Sequence, residues 1–220
     1  MTTLEIPQTP YDRACSHHNI TVVYHNIQSL QSHFNDLKRN MDSAAIIGLS
    51  ETRIIPNSNI QPFMLDTFHS LVHADRPYGG VAFYIKSSLD YKLLPVPDVF
   101  FDCLAVEITH PHLIVVVIYN KPHGINRTQF ISELSLVVQA LPSNVHTVIG
   151  GDFNINILKD HLQDSHPLNL YKQLITEPTT SAQTLLDPIF VSLTPTNYDA
   201  GVSRTYYSFH DAVFYAFSSD

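Results

Sequence analysis

The chain has 220 residues, 44% of them hydrophobic, enough to bury one sizeable core, and no linker, charge block or low-complexity tract divides it. A formal net charge of −8 with only 12 Lys and Arg excludes a broad basic surface for nucleic acid, but not a local phosphate site built from amides, hydroxyls, histidine and a metal ion. The longest apolar run, Leu113 to Tyr119, is too short to cross a bilayer; the N-terminus lacks the apolar core of a signal peptide, and Cys15 and Cys103 form no disulfide framework, which fits an intracellular, reducing compartment.

In chain order, residues 1–18 read as a loosely ordered arm, in which His17 and His18 are disordered rather than a metal site, and residues 19–220 as a single domain. ITVVYHN (Ile20 to Asn26) reads as a buried strand, followed by a helix near Leu30 to Met41 with Leu30, Phe34, Leu37 and Met41 on one apolar stripe, then the strand AAIIGLSE (Ala44 to Glu51). FHSLVHA (Phe68 to Ala74), GGVAFYIK (Gly79 to Lys86), FDCLAVEI (Phe101 to Ile108) and LIVVVIYN (Leu113 to Asn120) follow as a meander of short strands. The strand–helix–strand unit then recurs: from LIVVVIYN through a helix near Thr128 to Leu141, with Phe130, Leu134, Val137 or Val138, and Leu141 on its apolar side, into HTVIGGDFN (His146 to Asn154). A polar stretch, a short helix near Pro167 to Ile175, and strands near Leu186 to Ser192 and Ala212 to Phe217 complete the chain, with Thr194 to Tyr207 between them as a hairpin. Strands of both parallel and antiparallel signature, with helices returning to strands, predict an α/β (α+β) fold: a four-layer sandwich of two mixed β-sheets flanked by helices.

Strands of the two repeated units finish in Asn26, Glu51, Tyr119, and Asp152 with Asn154. In open α/β sheets the reactive groups gather beyond the carboxyl ends of strands, so these termini point to one composite site. Singly, each residue has a plainer reading: Asp152 as a turn former or helix cap, Tyr119 as a core-edge residue, His210 as one surface histidine among 13, Asp187 as a turn before Pro188. Their joint placement at strand ends favours function.

HNIQS, LSET, VIYNKP, GGDFN, TLLDPIF and YYSFHDAV occur in that order over nearly the whole chain. This series resembles the endonuclease/exonuclease/phosphatase superfamily, and within it the apurinic/apyrimidinic-endonuclease-like endonuclease domain of LINE-type non-LTR retrotransposons. The resemblance implies hydrolysis of DNA phosphodiesters with Mg²⁺, or Mn²⁺ as an alternative. Glu51 matches the metal-binding glutamate and Asn26 the asparagine that supports the metal site. Tyr119 matches the tyrosine leaning toward the scissile phosphate, and Asp152 and Asn154 the pair that positions the attacking water and phosphate oxygens. His210 matches the catalytic histidine and Asp187 the carboxylate that orients it. Thr179, Ser208, Arg204 and Tyr206 correspond to DNA-contacting positions, the last two in a loop that probes a groove. The implied partners are double-stranded DNA and the reverse-transcriptase region of the same polyprotein, with no membrane; the isolated domain is expected to be monomeric and to act in the nucleus after cytoplasmic synthesis.

The chain departs from the family pattern where Ser208-Phe209-His210-Asp211 replaces Ser-Asp-His, and where Gln28 stands in place of a carboxylate. Phe209 cannot bind a cation, so one metal contact is missing or is supplied by Asp211 or water, and weaker metal affinity or lower activity is expected. A phosphoesterase acting on inositol phosphates or lipids, and a catalytically weakened DNA-binding relative, are the alternative functions.

Overall fold

The structure, a computed structural model, describes residues 8–73 and 78–219. Its strands are β1 (Ile20–Asn26), β2 (Ile46–Ser50), β3 (Phe68–His73), β4 (Val81–Lys86), β5 (Tyr91–Leu94), β6 (Asp102–Ile108), β7 (Leu113–Tyr119), β8 (His146–Asp152), β9 (Lys172–Gln173), β10 (Ile189–Val191), β11 (Tyr198–Ser203) and β12 (Ala212–Phe217). Its helices are α1 (Pro10–His17), α2 (Leu30–Met41), α3 (Arg127–Ala140) and α4 (Ile157–Asp160).

Among the described residues the strands form two six-stranded mixed sheets, ordered β11-β12-β1-β2-β4-β3 and β5-β6-β7-β8-β10-β9. At the centre of each lies a parallel pair, β1 with β2 and β7 with β8, produced by the two strand–helix–strand units; every other pairing is antiparallel. The four-layer sandwich expected from the sequence is therefore the observed fold. Burial explains the near-continuous apolar runs of the central strands. On β1, Val22 and Tyr24 enter the core that contains both sheets' facing residues, while Val23, with Ile27 just beyond the strand, joins the apolar cluster shared with α1 and α2. On the second sheet, Phe130, Leu134 and Val137 of α3 extend the first core over the outer face.

One aromatic ring registers the two units against each other. A Cβ added to Gly48 of β2 would lie 2.8 Å from the Tyr24 ring, and one added to Gly150 of β8 would lie 2.5 Å from it. The Tyr24 hydroxyl donates to the Val148 carbonyl at 3.1 Å, so the buried phenol keeps a partner as it crosses from one sheet to the other. The glycines thus sit where two backbones must approach a ring closely.

Three expectations are corrected. Residues 10–17 of the supposed arm form α1, which starts on a capping box: Thr9 Oγ1 accepts from the Asp12 N–H and Asp12 Oδ2 accepts from the Thr9 N–H, each at 3.1 Å. Tyr11 and Ala14 bury this helix against the first sheet, and residues 1–7 lie outside the described set. His18 is ordered and 8% exposed, held between Ser218 Oγ at 3.1 Å and Asp199 Oδ2 at 3.2 Å. The helix expected near Pro167 to Ile175 is only a 3₁₀ turn, Leu168–Leu170, after which β9 pairs with β10, because strand pairing overrides the local apolar spacing. The strand read as Phe68 to Ala74 is β3 over Phe68–His73, and Ala74 lies outside the described residues.

Candidate active site

Parallel pairing brings the carboxyl ends of β1 and β2 together, with Asn26 opposite Ser50, and those of β7 and β8 together, with Tyr119 opposite Asp152. The chain turns sharply at these ends. Gln28, Glu51, Arg53 and Asn154 all adopt left-handed φ values of 51°, 50°, 54° and 49°, a concentration of sparsely populated conformations at one edge of the sandwich.

Asn26, fully buried, joins the sheets. Its Nδ2 donates to Glu51 Oε1 at 3.0 Å and to Asp152 Oδ2 at 2.8 Å, so both amide protons are used on carboxylates from different sheets. Its Oδ1 accepts from the Gln28 N–H at 3.1 Å. Asp152 is fixed again from its own loop: the Asn154 N–H donates to Oδ1 at 2.8 Å and Asn154 Nδ2 to Oδ2 at 3.0 Å. Asn154 Nδ2 also donates to the Asn120 carbonyl at 2.6 Å, and Asn120 Nδ2 to the Phe153 carbonyl at 2.9 Å. Burial, reinforced by the Asp187 charge, pushes the Asp152 carboxyl up to about 8.

His210 arrives from the turn before β12. Its Nδ1 lies 2.8 Å from Asp187 Oδ2, and its Nε2 faces Asp152 Oδ2 at 3.9 Å. Asp187 is 1% exposed and His210 5%. Burial alone would lower the His210 pKa, but the hydrogen bond and charge of Asp187 outweigh it and push the pKa up to about 9. Thr179, expected as a phosphate-contacting hydroxyl, is placed behind this pair instead. It is fully buried, donates from Oγ1 to Asp187 Oδ2 at 2.6 Å, and accepts from the Leu186 and Asp187 N–H groups. Ser208 Oγ donates to the Asn26 carbonyl at 2.7 Å, tying the histidine turn to β1.

Tyr119, 5% exposed, has its pKa raised by burial and then by the charges of Glu51 and Asp152, so the phenol remains a proton donor. Asp102 Oδ2 accepts from the Gly80 N–H at 2.8 Å, while the carbonyls of Gly80 and Gly79 accept from the N–H groups of Thr52 and Arg53. The Glu51 loop is thereby held to the segment before β4.

Of the groove candidates, Tyr206 is 98% exposed, and Arg204 Nη1 lies 2.6 Å from Asp211 Oδ2. Asp211 Oδ1 accepts from the Thr205 N–H at 2.8 Å, so Asp211 serves this loop and does not stand in for the acid missing at Phe209. Gln28 does not act as a carboxylate substitute either: its Oε1 accepts from the Phe209 N–H at 2.9 Å.

Two groups of side chains bear on a cation. Asp152, Asp187 and His210 offer ligand atoms within 4.8 Å of one another, but most of those atoms are already hydrogen-bonded to one another or to Asn26 and Asn154. Glu51, with Asn26 beside it, fits a hard ion that retains most of its waters, since such ions are held by one or two carboxylates plus substrate phosphate. Sequence reasoning missed one neighbour of that carboxylate, Arg53, whose Nη2 is 2.7 Å from Glu51 Oε2. Its place two residues beyond Glu51 was visible, but its direction was not. Asn120 and Asp102 were also missed as supports.

The sequence pattern described as the Endonuclease/Exonuclease/phosphatase family matches residues 23–211. No sequence among curated proteins matches the chain. The fold is similar to the endonuclease domain of TRAS1, a telomere-specific non-LTR retrotransposon, with TM-score 0.70, 15% identity, and 90% of this chain and 98% of that one covered. It is also similar to the 3′-5′ exonuclease NExo of Neisseria meningitidis, with TM-score 0.67, 17% identity, and 91% and 100% covered. An AP endonuclease from Archaeoglobus fulgidus gives TM-score 0.63, 14% identity, and 90% and 99% covered.

Proposed function

Since this chain belongs to the Endonuclease/Exonuclease/phosphatase family, we propose that it is a Mg²⁺-dependent endonuclease that nicks DNA and leaves a 3′-hydroxyl for target-primed reverse transcription. The observation that carries the hydrolytic reading is the buried Asp187–His210 pair at 2.8 Å, with the far nitrogen of His210 directed toward Asp152. The stretch from LITEPT (residues 174–179) to LLDPIF (residues 185–190) supports the retrotransposon assignment; the likeness of fold alone does not separate nickases from other members.

Water is a poor nucleophile, and His210 with Asp187 has the form of the histidine–carboxylate half of a hydrolase triad, with water in place of serine. Asp187 fixes the ring through Nδ1 and leaves Nε2 to exchange a proton with the water; Asp152 helps to align that water. Asn154 and Tyr119 donate hydrogen bonds toward the phosphoryl oxygens as charge grows on them. Glu51, supported by Asn26, would hold the divalent ion, which supplies neutralisation of phosphate charge when bound.

The test is nicking of supercoiled plasmid in Mg²⁺ and in chelator, followed by mapping of the strand ends. His210→Ala and Glu51→Ala should each abolish nicking; undiminished cutting by either refutes the assignment. Release of free phosphate from inositol phosphates without nicking would favour the phosphoesterase alternative, and DNA binding without either activity the weakened relative. In a longer polypeptide a reverse-transcriptase region would extend the 3′-hydroxyl, and that role places the protein with nuclear DNA.

A further inference from the structure

The family pattern puts a carboxylate immediately before the catalytic histidine, and this chain puts Phe209 there. The ring belongs to neither apolar core and is 45% exposed. Its backbone is held on both sides: the N–H donates to Gln28 Oε1 at 2.9 Å, and the carbonyl accepts from the Ser181 N–H at 3.3 Å. The ring itself meets the His210 ring edge-on, with centroids 5.5 Å apart and planes at 68°. Folding gains little from an aromatic ring left half in water, and this ring, in contact with His210, is placed where a molecule bound at the site would meet it. Three residues earlier on the same segment, Tyr206 is 98% exposed.

The site beneath Phe209 addresses a phosphodiester, and each phosphodiester carries a base one nucleotide to either side. With a net charge of −8, the chain gains little from general attraction to phosphates, whereas a base presents a π-face that any aromatic ring can stack on regardless of sequence. In a duplex both faces of each base are already stacked on neighbours. We infer that Phe209 is a stacking platform for an unpaired nucleobase adjacent to the phosphodiester at His210, so that locally unpaired DNA is bound in preference to continuous duplex. This inference rests on the phosphodiester reading of the site.

The experiment compares binding of a continuous duplex with the same duplex carrying a short central bubble. Both are labelled with 2-aminopurine at the centre and held in chelator so that nothing is cut. The wild-type protein should quench the probe in the bubble and bind the bubble more tightly. Because stacking on one aromatic side chain is worth about 5- to 150-fold in affinity, Phe209→Ala should cut the bubble-to-duplex ratio within that range. Phe209→Leu, apolar but without a flat face, should do the same, and Phe209→Trp should retain the ratio; thermal melts show that each variant is folded. Equal losses on bubble and duplex, or a Leu variant as selective as wild type, would overturn the platform. A protein that quenches the probe but never nicks in Mg²⁺ would sink the hydrolase reading and leave the platform standing. One that nicks while Phe209→Ala keeps its preference would do the reverse.

Discussion

Arg53 Nη2 lies 2.7 Å from Glu51 Oε2, while Asn26 Nδ2 occupies Glu51 Oε1 at 3.0 Å. The carboxylate assigned to the cation is thus already faced by a permanent positive charge. Arg53 is 46% exposed at its side chain, so it can leave toward solvent when an ion arrives. Competition of this kind lowers metal affinity, on top of the carboxylates absent at Gln28 and Phe209. Arg53→Gln should therefore bind Mn²⁺ roughly 1.5- to 5-fold more tightly in calorimetric titration without DNA, about the size of one partly exposed charge interaction. An unchanged or weaker affinity would show that Arg53 does not compete.

Asp187→Asn removes the acceptor charge that sustains the high His210 pKa while preserving shape. A base must be neutral, so with the pKa at about 9 the wild-type nicking rate should climb as pH rises toward that value. In the variant the climb should shift to lower pH, and the limiting rate should fall by about 10²- to 10⁴-fold, the usual contribution of such a group. The pH profile of single-turnover nicking decides this. The same sign governs stability: a pKa raised above its unfolded value stabilises the fold at low pH, and that contribution is lost as pH passes upward through about 9.

Thr179 is fully buried and makes three hydrogen bonds around Asp187. Thr179→Val keeps the shape but leaves the N–H groups of Leu186 and Asp187 without that acceptor. Unsatisfied buried groups cost about 1–3 kcal/mol, so chemical denaturation should show a loss in that range. Thr179→Ser should restore most of it; a Val variant as stable as wild type would count against the positioning role.

His146 packs edge-on against Phe217 at 5.3 Å, with Nε2 3.2 Å from the Tyr215 hydroxyl. Burial lowers its pKa from 6.5 to about 4. The unfolded chain therefore binds the extra proton first, and stability falls as pH drops from about 6.5 toward 4. Thermal melts from neutral to acid pH should show a smaller decline for His146→Gln than for wild type. Equal slopes would exclude this histidine as a source of acid sensitivity.

The two strand–helix–strand units were legible because their periodicities are local: 3.6 residues for the stripe on α2, and uninterrupted apolar runs for β1, β2, β7 and β8. The strand-end residues followed from the same pattern. The helix α1 was obscured by a polar composition, although the Thr9–Asp12 capping box was present in the text of the sequence. The region after β8 misled for the opposite reason, since its apolar spacing resembles a helix but is used by a 3₁₀ turn and the edge strand β9.

The sequence by itself determined the layers, the strand–helix–strand units and Asn26, Glu51, Tyr119 and Asp152 as the polar ends of buried strands, while Asp187 and His210 were named by the family resemblance. Only the tertiary structure decided how they meet. Asn26 reaches carboxylates in two sheets because the sheets pack face to face around Tyr24, and Thr179 turns inward because Asp187 needs a donor where water is excluded. Arg53 faces Glu51 because the left-handed turn at both residues bends the chain back on itself. Local pattern records which face of an element is buried, whereas hydrogen-bond partners across elements depend on distances that exist only once the layers have closed.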